Sequence, residues 1–379
     1  MAGPYCTLLL AGMGAEVVKV EPPRGGDPIR HLGPPFINGE SCLFLSLNWN
    51  KKGITLDLTR PEGLSLFYRL LASTDVLVEN FLPNVAERLG VHYEAVKERN
   101  PKLVYCSISA YGQGGPLKDT PGTDPIFQGL SGVMMINGRP GDPPVRLGFP
   151  VADITAGIFA AYAISSSLFS RERTGKGEQL DVSVLHSLVA LQGPRVAEFL
   201  ATGRNPERLE RSSAFATPSQ YFETKDGFVN VSVFSDKFWE RLCKVLGLET
   251  LLRKDDYSTP ERRMVNKAAL LPLLEKVFRR ETASHWMKVL GREGIPCGPI
   301  YTYEDMFRDR NLRIDEYLVE FDHPVAGNIR AMGTPFMGPV LSRGRAKPPP
   351  LLGQDNGEVF GSLGLTEEEI SEMSRSGII

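Results

Sequence analysis

Along the first half of the chain, short runs of apolar and β-branched residues alternate with stretches whose apolar positions recur every three to four residues. "AEVVKVE" (15–21), "DVLVENF" (75–81) and "KLVYCSISAYG" (102–112) are predicted strands. "RPEGLSLFYRLLAST" (60–74), with Pro at its first turn, and "NVAERLGVHYEAVKERNP" (84–101), ending at Pro, are predicted helices. Near-continuous apolar strands alternating with helices imply an α/β fold with a parallel, helix-covered sheet. Ligands of such sheets bind beyond the strand C-termini. That rule puts Glu21, Asn80 and the loop Tyr111 to Gly115 at the functional edge. "MAGPYCTLLLAGMG" reads as a helix ahead of the first strand, whereas an α/β domain normally opens on a strand. The expectation is a chain that starts late.

Residues 153–169 read as one helix, closed by the basic, Gly-rich "RERTGKG". "EQLDVSVLHSLVALQGPRVAEFLATG" (178–203) reads as mostly helix. Near residue 205 the pattern changes. "PSQYFETKDGFVNVSVF" (218–234) is a hairpin pattern with its turn at Asp226-Gly227, and helical segments follow. Residues 206–315 are therefore predicted to form a smaller α+β domain.

Composition narrows the classes. The 379 residues are 42% hydrophobic and 23% charged, enough for a real core. A formal net charge of −2 gives no basic field for nucleic acid. The five cysteines are far apart, without CxxC, and fit reduced thiols in a cytoplasmic compartment. The five histidines are scattered, so no metal spacing is visible. No apolar run looks long enough to span a bilayer, and the start lacks a signal-peptide pattern, so no membrane partner is expected.

Candidate chemistry lies at the sheet edge. "AGMGAEVV" fails as a dinucleotide fingerprint, because its glycines precede a strand rather than follow one. "EPPRGGDPIRHLGPPF" follows a strand and presents Arg24 and Arg30, which suit phosphate groups or simply a solvated loop. Lys51 and Lys52 of "NWNKKG", with Asn80 and Arg88 of "ENFLPNVAERLG", join them. Together they suggest a large anionic ligand. In "GFPVADITAGIFAAYAI" (148–164), Asp153 heads an apolar segment of small side chains; its plain reading is a helix cap.

These motifs together resemble the family III CoA transferases (CaiB/BaiF type). The resemblance rests on "AGPYCTLLLAGMGAEVVKVEPP", "SLNWNKKGITLDL", "DVLVENFLPNVAERLG", "YCSISAYGQGGP", "RERTGKGEQLDVSV", "GREGIPCGPI" and "PPPLLGQ", in the family's order along the whole chain. It implies a Rossmann-like large domain from residues 1–205 and 316–379, around the smaller domain 206–315, in an interlocked homodimer. It implies a further strand before "AGP" and hence a truncated start. The partners it implies are an acyl-CoA and a carboxylic acid, with the CoA thioester as substrate and no permanently bound cofactor. The cytoplasm, or a mitochondrial matrix, fits that chemistry.

Asp153 falls where the family has its nucleophile. A carboxylate there attacks the thioester, giving an aspartyl anhydride and then an aspartyl-CoA thioester. Helix-terminal N–H groups are expected to keep Asp153 ionised. Ala152, Ala156 and Gly157 are expected to let substrate approach the backbone, and N–H groups of "AYGQGGP" to act as oxyanion donors. Asp124 either assists the site or serves as a cap. The related α-methylacyl-CoA racemases carry a His before that Asp; Thr123 stands here and cannot exchange a proton as an acid–base group at neutral pH, which disfavours the racemase alternative. An inactive CoA-binding scaffold is the alternative from another class. No "GGGG" occurs, which disfavours formyl-CoA:oxalate transfer. "GDPPVRLGFPVAD" resembles the dicarboxylate-using members, the succinyl-CoA:glutarate type among them. Arg146 either binds a distal carboxylate or makes a structural salt bridge.

Overall fold

The structure is a computed structural model that describes residues 1–209, 212–213, 215–336 and 346–379. The chain forms two compact units. The first comprises Met1–Val133, Arg146–Arg204 and Arg313–Ile379, and the second Met134–Val145 and Asn205–Leu312. Residues 134–145, which chain order places in the large domain, thus group with the second unit. Arg208 holds them there, donating to the carbonyls of Met134, Met135, Arg139 and Asp142.

In the first unit, helix α1 (Ala2–Gly12) leads into strand β1 (Val18–Glu21). β1 pairs in parallel with β2 (Lys52–Thr55), Val18 opposite Lys52. Strands β3 (Val76–Glu79), β4 (Val104–Ser109) and β5 (Gln179–Ser183) form a second parallel ladder in that order. All six positions of β4 are buried, as expected of a strand covered on both faces. β5 corrects the helical reading of its segment. "QLDVS" is too short for a helix between the turn at Gly175–Gly177 and the cap at Ser183, and it docks on β4 instead. Gly177 permits that approach, since a Cβ there would stand 2.0 Å from the Leu103 carbonyl oxygen.

The helix Pro61–Leu71 buries Leu66, Phe67 and Leu71 against Ile54 and Leu56, together with Val359, Phe360, Ile378 and Ile379 from the end of the chain. Two further helices carry the candidate site: α2 (Asp124–Leu130) and α3 (Val151–Thr174). α3 stops where the sequence signals it. Gly175 takes φ 70° and its N–H donates to the Arg171 carbonyl.

α3 packs along α1, and its small residues make the contact. Ala152, Ala156 and Ala160 are fully buried. A Cβ on Gly157 would lie 2.9 Å from the Ala2 carbonyl oxygen and 3.1 Å from the Cys6 nitrogen. This corrects the expectation that Ala152, Ala156 and Gly157 admit substrate: α1 fills that space. α3 also corrects the reading that no run is long enough for a bilayer. By length and composition it qualifies, but half of its most apolar stretch is buried inside the structure.

In the second unit, the antiparallel strands Ser219–Glu223 and Phe228–Ser232 form the expected hairpin, extended by Cys297–Pro299. Its core is built on Phe222, Trp239, Phe278 and Trp286. The buried Arg263 is neutralised by Asp236 at 2.8 Å.

Candidate active site

Asp153 is the third residue of α3, not its cap. Pro150 holds the cap position and offers no side-chain bond. The capping carboxylate comes from elsewhere: Asp124, buried at the start of α2, accepts from the Ala152 N–H at 2.8 Å. Its second oxygen accepts from Gln128 Nε2 at 2.6 Å. The cap reading of Asp153 is thereby corrected, and the cap alternative for Asp124 holds, though for the neighbouring helix rather than its own. Among the described residues the Asp153 carboxylate receives no hydrogen bond and forms no ion pair.

Electrostatics follow from that isolation. Burial pushes the Asp153 carboxyl above the ordinary carboxylate range; the α-amino group of Met1 opposes this and the negative charge of Asp124 adds to it. Burial thus opposes the helix-terminal N–H groups that are expected to keep Asp153 ionised. The result is a partly buried carboxylate without hydrogen-bond or ion-pair partners among the described residues. Such a group loses little solvation on reaction and is poised as a nucleophile or base.

Arg146 is exposed, seven residues before Asp153, and among the described residues it has no hydrogen bond or ion pair. The structural salt bridge is therefore not formed among the described residues. Between the two, Leu147 N–H donates to Gln128 Oε1 at 2.8 Å. Gln128 carried no signal in the sequence reading; its position one helical turn after Asp124 was the only hint.

The other candidate groups divide sharply. Arg30 is engaged internally. It meets Glu21 through two bonds of 2.7 and 2.8 Å, donates to the Pro350 carbonyl, and lies 3.8 Å over the Phe44 ring. Glu21 is correspondingly buried. Asn80 bridges α1 and β4, accepting from Gly3 N–H and donating to the Ile108 carbonyl. Lys51 is buried between the Pro4 carbonyl and Asn48, and Lys52 pairs with Glu16 and Glu358. In this structure these side chains are engaged with the protein itself. In the glycine loop, Gly112 N–H donates to Ser109 Oγ and Gln113 N–H to Asp181, so these two amides are not free oxyanion donors.

Arg24 and Arg88 remain exposed and free of hydrogen bonds among the described residues. Arg88 and Arg60 line an open groove of about 360 Å³ whose walls include Leu58, Leu64 and Leu89. Arg24 lies at the same edge. The Asp57 carboxyl is held below its usual range by bonds from Thr59, helped by the charges of Arg60 and Arg24. No cluster of three or more His, Cys, Asp or Glu side chains suited to a metal occurs among the described residues.

The family model for CoA-transferase family III matches residues 1–356. The chain belongs to CoA-transferase family III. It is similar to the succinyl-CoA:glutarate CoA-transferase of Mus musculus, at 36% identity over the whole of this chain and 87% of that one. It is also similar to a succinate–glutarate CoA-transferase of Agrobacterium fabrum, at 34% identity over 96% of this chain and 92% of that one. Among solved structures, a CaiB/BaiF family protein from Brucella suis superposes with a TM-score of 0.82 at 31% identity, covering 96% of each chain. This family III CoA-transferase is therefore an enzyme that moves CoA between an acyl-CoA and a carboxylate. Its mixed α/β fold with parallel sheets is that of its structural relatives.

Proposed function

We propose that Asp153 is the nucleophile of this transferase and that its substrates are dicarboxylic acyl-CoAs and dicarboxylic acids of the succinyl and glutaryl type. One observation carries the first part: a partly buried carboxylate in the first turn of α3 has no hydrogen-bond or ion-pair partner among the described residues, because Asp124 caps the helix in its place. The second part is supported by the free guanidinium of Arg146 and by the names of the relatives.

The reaction then runs in four displacements. A carboxylate oxygen of Asp153 attacks the thioester carbonyl; the C–S bond breaks, CoA thiolate leaves, and an acyl–aspartyl anhydride forms. The thiolate attacks the aspartyl carbonyl and releases the first acid as its carboxylate, leaving an aspartyl-CoA thioester. The acceptor carboxylate attacks that carbonyl and expels the thiolate, forming a second anhydride. The thiolate finally attacks the acceptor's acyl carbonyl, which yields the new acyl-CoA and frees the Asp153 carboxylate. No net proton is transferred, so the cycle requires no general base.

The groove beside Arg60 and Arg88, with Arg24 at its edge, suits the phosphate-rich end of CoA. Self-association in the interlocked homodimer is supported by an unpartnered apolar face. Ile158, Tyr162 and Phe169 are exposed along α3, and the helix Gly193–Thr202, bearing Phe199 and Leu200, buries no residue.

Incubation with acyl-CoA and hydroxylamine tests the nucleophile. Inactivation is expected only when the thioester is present, because both intermediates are activated acyls that hydroxylamine converts to the Asp153 hydroxamate. Mass spectrometry that finds the Asp153 peptide unmodified in inactivated enzyme contradicts the proposal. Turnover should also carry the mark of burial. The reactive form is the carboxylate, so kcat/KM is expected to fall on acidification through a pKa above about 4, the unperturbed value. An acid limb at or below that value counts against Asp153.

A further inference from the structure

The tip of the turn between Arg146 and Asp153, at Gly148 and Phe149, is poorly anchored by packing. Phe149 is 52% exposed, and a Cβ on Gly148 would meet nothing. Hydrogen bonds hold it instead, and they converge on Gln128, a fully buried side chain of α2. Its Oε1 accepts from Leu147 N–H at 2.8 Å, and its Nε2 donates to the Phe149 carbonyl at 3.3 Å and to Asp124 Oδ2 at 2.6 Å. Asp124 Oδ1 completes the frame on Ala152 N–H. Both faces of one amide are thus used on a single six-residue stretch. An apolar side chain of the same volume fills the space but makes none of these bonds and leaves buried polar groups unpaired.

We infer that Gln128 is a positioning residue for CoA transfer, fixing the turn 147–152 so that Arg146 and Asp153 are presented in one frame. This rests on the reading of Asp153 as nucleophile and of Arg146 as a substrate contact. The charged groups facing the cluster are Asp124 on α2, Asp153 on α3 and the α-amino group of Met1 beside α1. His186, on the helix Val184–Leu191 that packs on α2, is exposed and bonded to Ser183. None of these supplies the amide's pairing of one acceptor with two donors.

Two variants test it. Gln128→Met keeps the volume and removes every polar contact. It is expected to lower kcat about tenfold on monocarboxylic acids, roughly the loss of one net hydrogen bond's worth of positioning, to lower it further on dicarboxylic acids, which also lose the placement of Arg146, and to leave the CoA dissociation constant unchanged by calorimetry. Gln128→Glu gives the readout that a packing role would not move. Ionised, it faces the Asp124 carboxylate and cannot donate; protonated, its O–H donates to Asp124 and its carbonyl still accepts from Leu147. The ratio of its kcat to that of wild type is therefore expected to rise as the pH is lowered from 8 to 6. This variant is compared with itself across pH, so the test survives a loss of stability. A Gln128→Met rate within twofold of wild type, or a Glu-to-wild-type ratio flat across pH, overturns the inference. Hydroxylamine trapping separates the two readings. A label in wild type at a residue other than Asp153 defeats the nucleophile; a label at Asp153 that forms equally fast in Gln128→Met defeats the positioning role alone.

Discussion

Asp153→Ala is expected to abolish CoA transfer while raising, or at least not lowering, thermal stability at neutral pH. The loss of rate should be roughly a thousandfold or more, the scale on which removal of a covalent nucleophile acts. The stability half of the expectation follows from the same isolation that makes the group reactive. Burial raises the folded-state pKa of Asp153 above its unfolded value. The protonated form is thus favoured by the fold: its contribution is full below about pH 4, the unfolded value, and is lost as the pH rises through the raised folded pKa. Alanine has no such loss. The melting temperature of the variant minus that of wild type should therefore grow between pH 4 and pH 7.5. A capping aspartate behaves in the opposite way, since its removal costs about 1 kcal/mol. A variant that keeps a tenth of the wild-type kcat sinks the nucleophile, and a variant less stable than wild type at pH 7.5 sinks the account of its isolation.

The isolation of Asp153 depends on a division of labour between two carboxylates. A helix start needs an acceptor for its first N–H groups. If Asp153 met that need itself, its oxygens would be held by donors and its basicity lowered. Asp124 meets it from α2, and Gln128 holds Asp124 in turn. The charge of Asp124 then adds to the proton affinity of Asp153 instead of competing for its contacts. On the proposed reading, one residue provides structure and the other is left free for chemistry.

How much of this was legible in the chain depends on what each signal requires. Strand β4 and helix α3 were readable because their patterns are long and their stops explicit: six buried apolar or small positions in one case, the Gly175 cap in the other. β5 was not, because "QLDVS" has no periodicity of its own that distinguishes a strand; its identity comes from docking against β4. Asp153 was legible as a candidate through motif order, but its cap reading was the natural one until a second carboxylate was seen to occupy the cap. Arg30, Asn80, Lys51 and Lys52 show the limit of counting phosphate-capable side chains. Whether a cation is free depends on partners distant in sequence, such as the Pro350 carbonyl for Arg30 and Glu358 for Lys52. Gln128 was invisible for a similar reason. Its amide matters only through a turn nineteen to twenty-one residues away, and no local pattern marks it.

Arg146→Ala is expected to lower kcat/KM for dicarboxylic donors and acceptors by roughly tenfold to a hundredfold, about the 1.5–3 kcal/mol of a charge-assisted hydrogen-bond pair. Arg146 is exposed and makes no ion pair or hydrogen bond among the described residues, so its removal leaves no buried partner unpaired. The melting temperature should accordingly stay near that of wild type. The backbone beside it is nonetheless fixed, through Leu147 N–H and Gln128, so its guanidinium is carried on an ordered turn that leads directly to Asp153. On the proposed reading, a cation seven residues before the nucleophile, without partners among the described residues, discriminates by the charge at the far end of the acyl chain. Monocarboxylic acids lack that charge and should lose little. Arg146→Lys should recover only part of the loss, because an ammonium cannot match both carboxylate oxygens as a planar fork does. The deciding quantity is the ratio of kcat/KM for a dicarboxylic acid over its monocarboxylic analogue, measured in wild type and in each variant. If that ratio is unchanged in Arg146→Ala, or if activity falls equally on both acids together with stability, Arg146 is outside the substrate site, and the dicarboxylate reading then stands on the relatives alone.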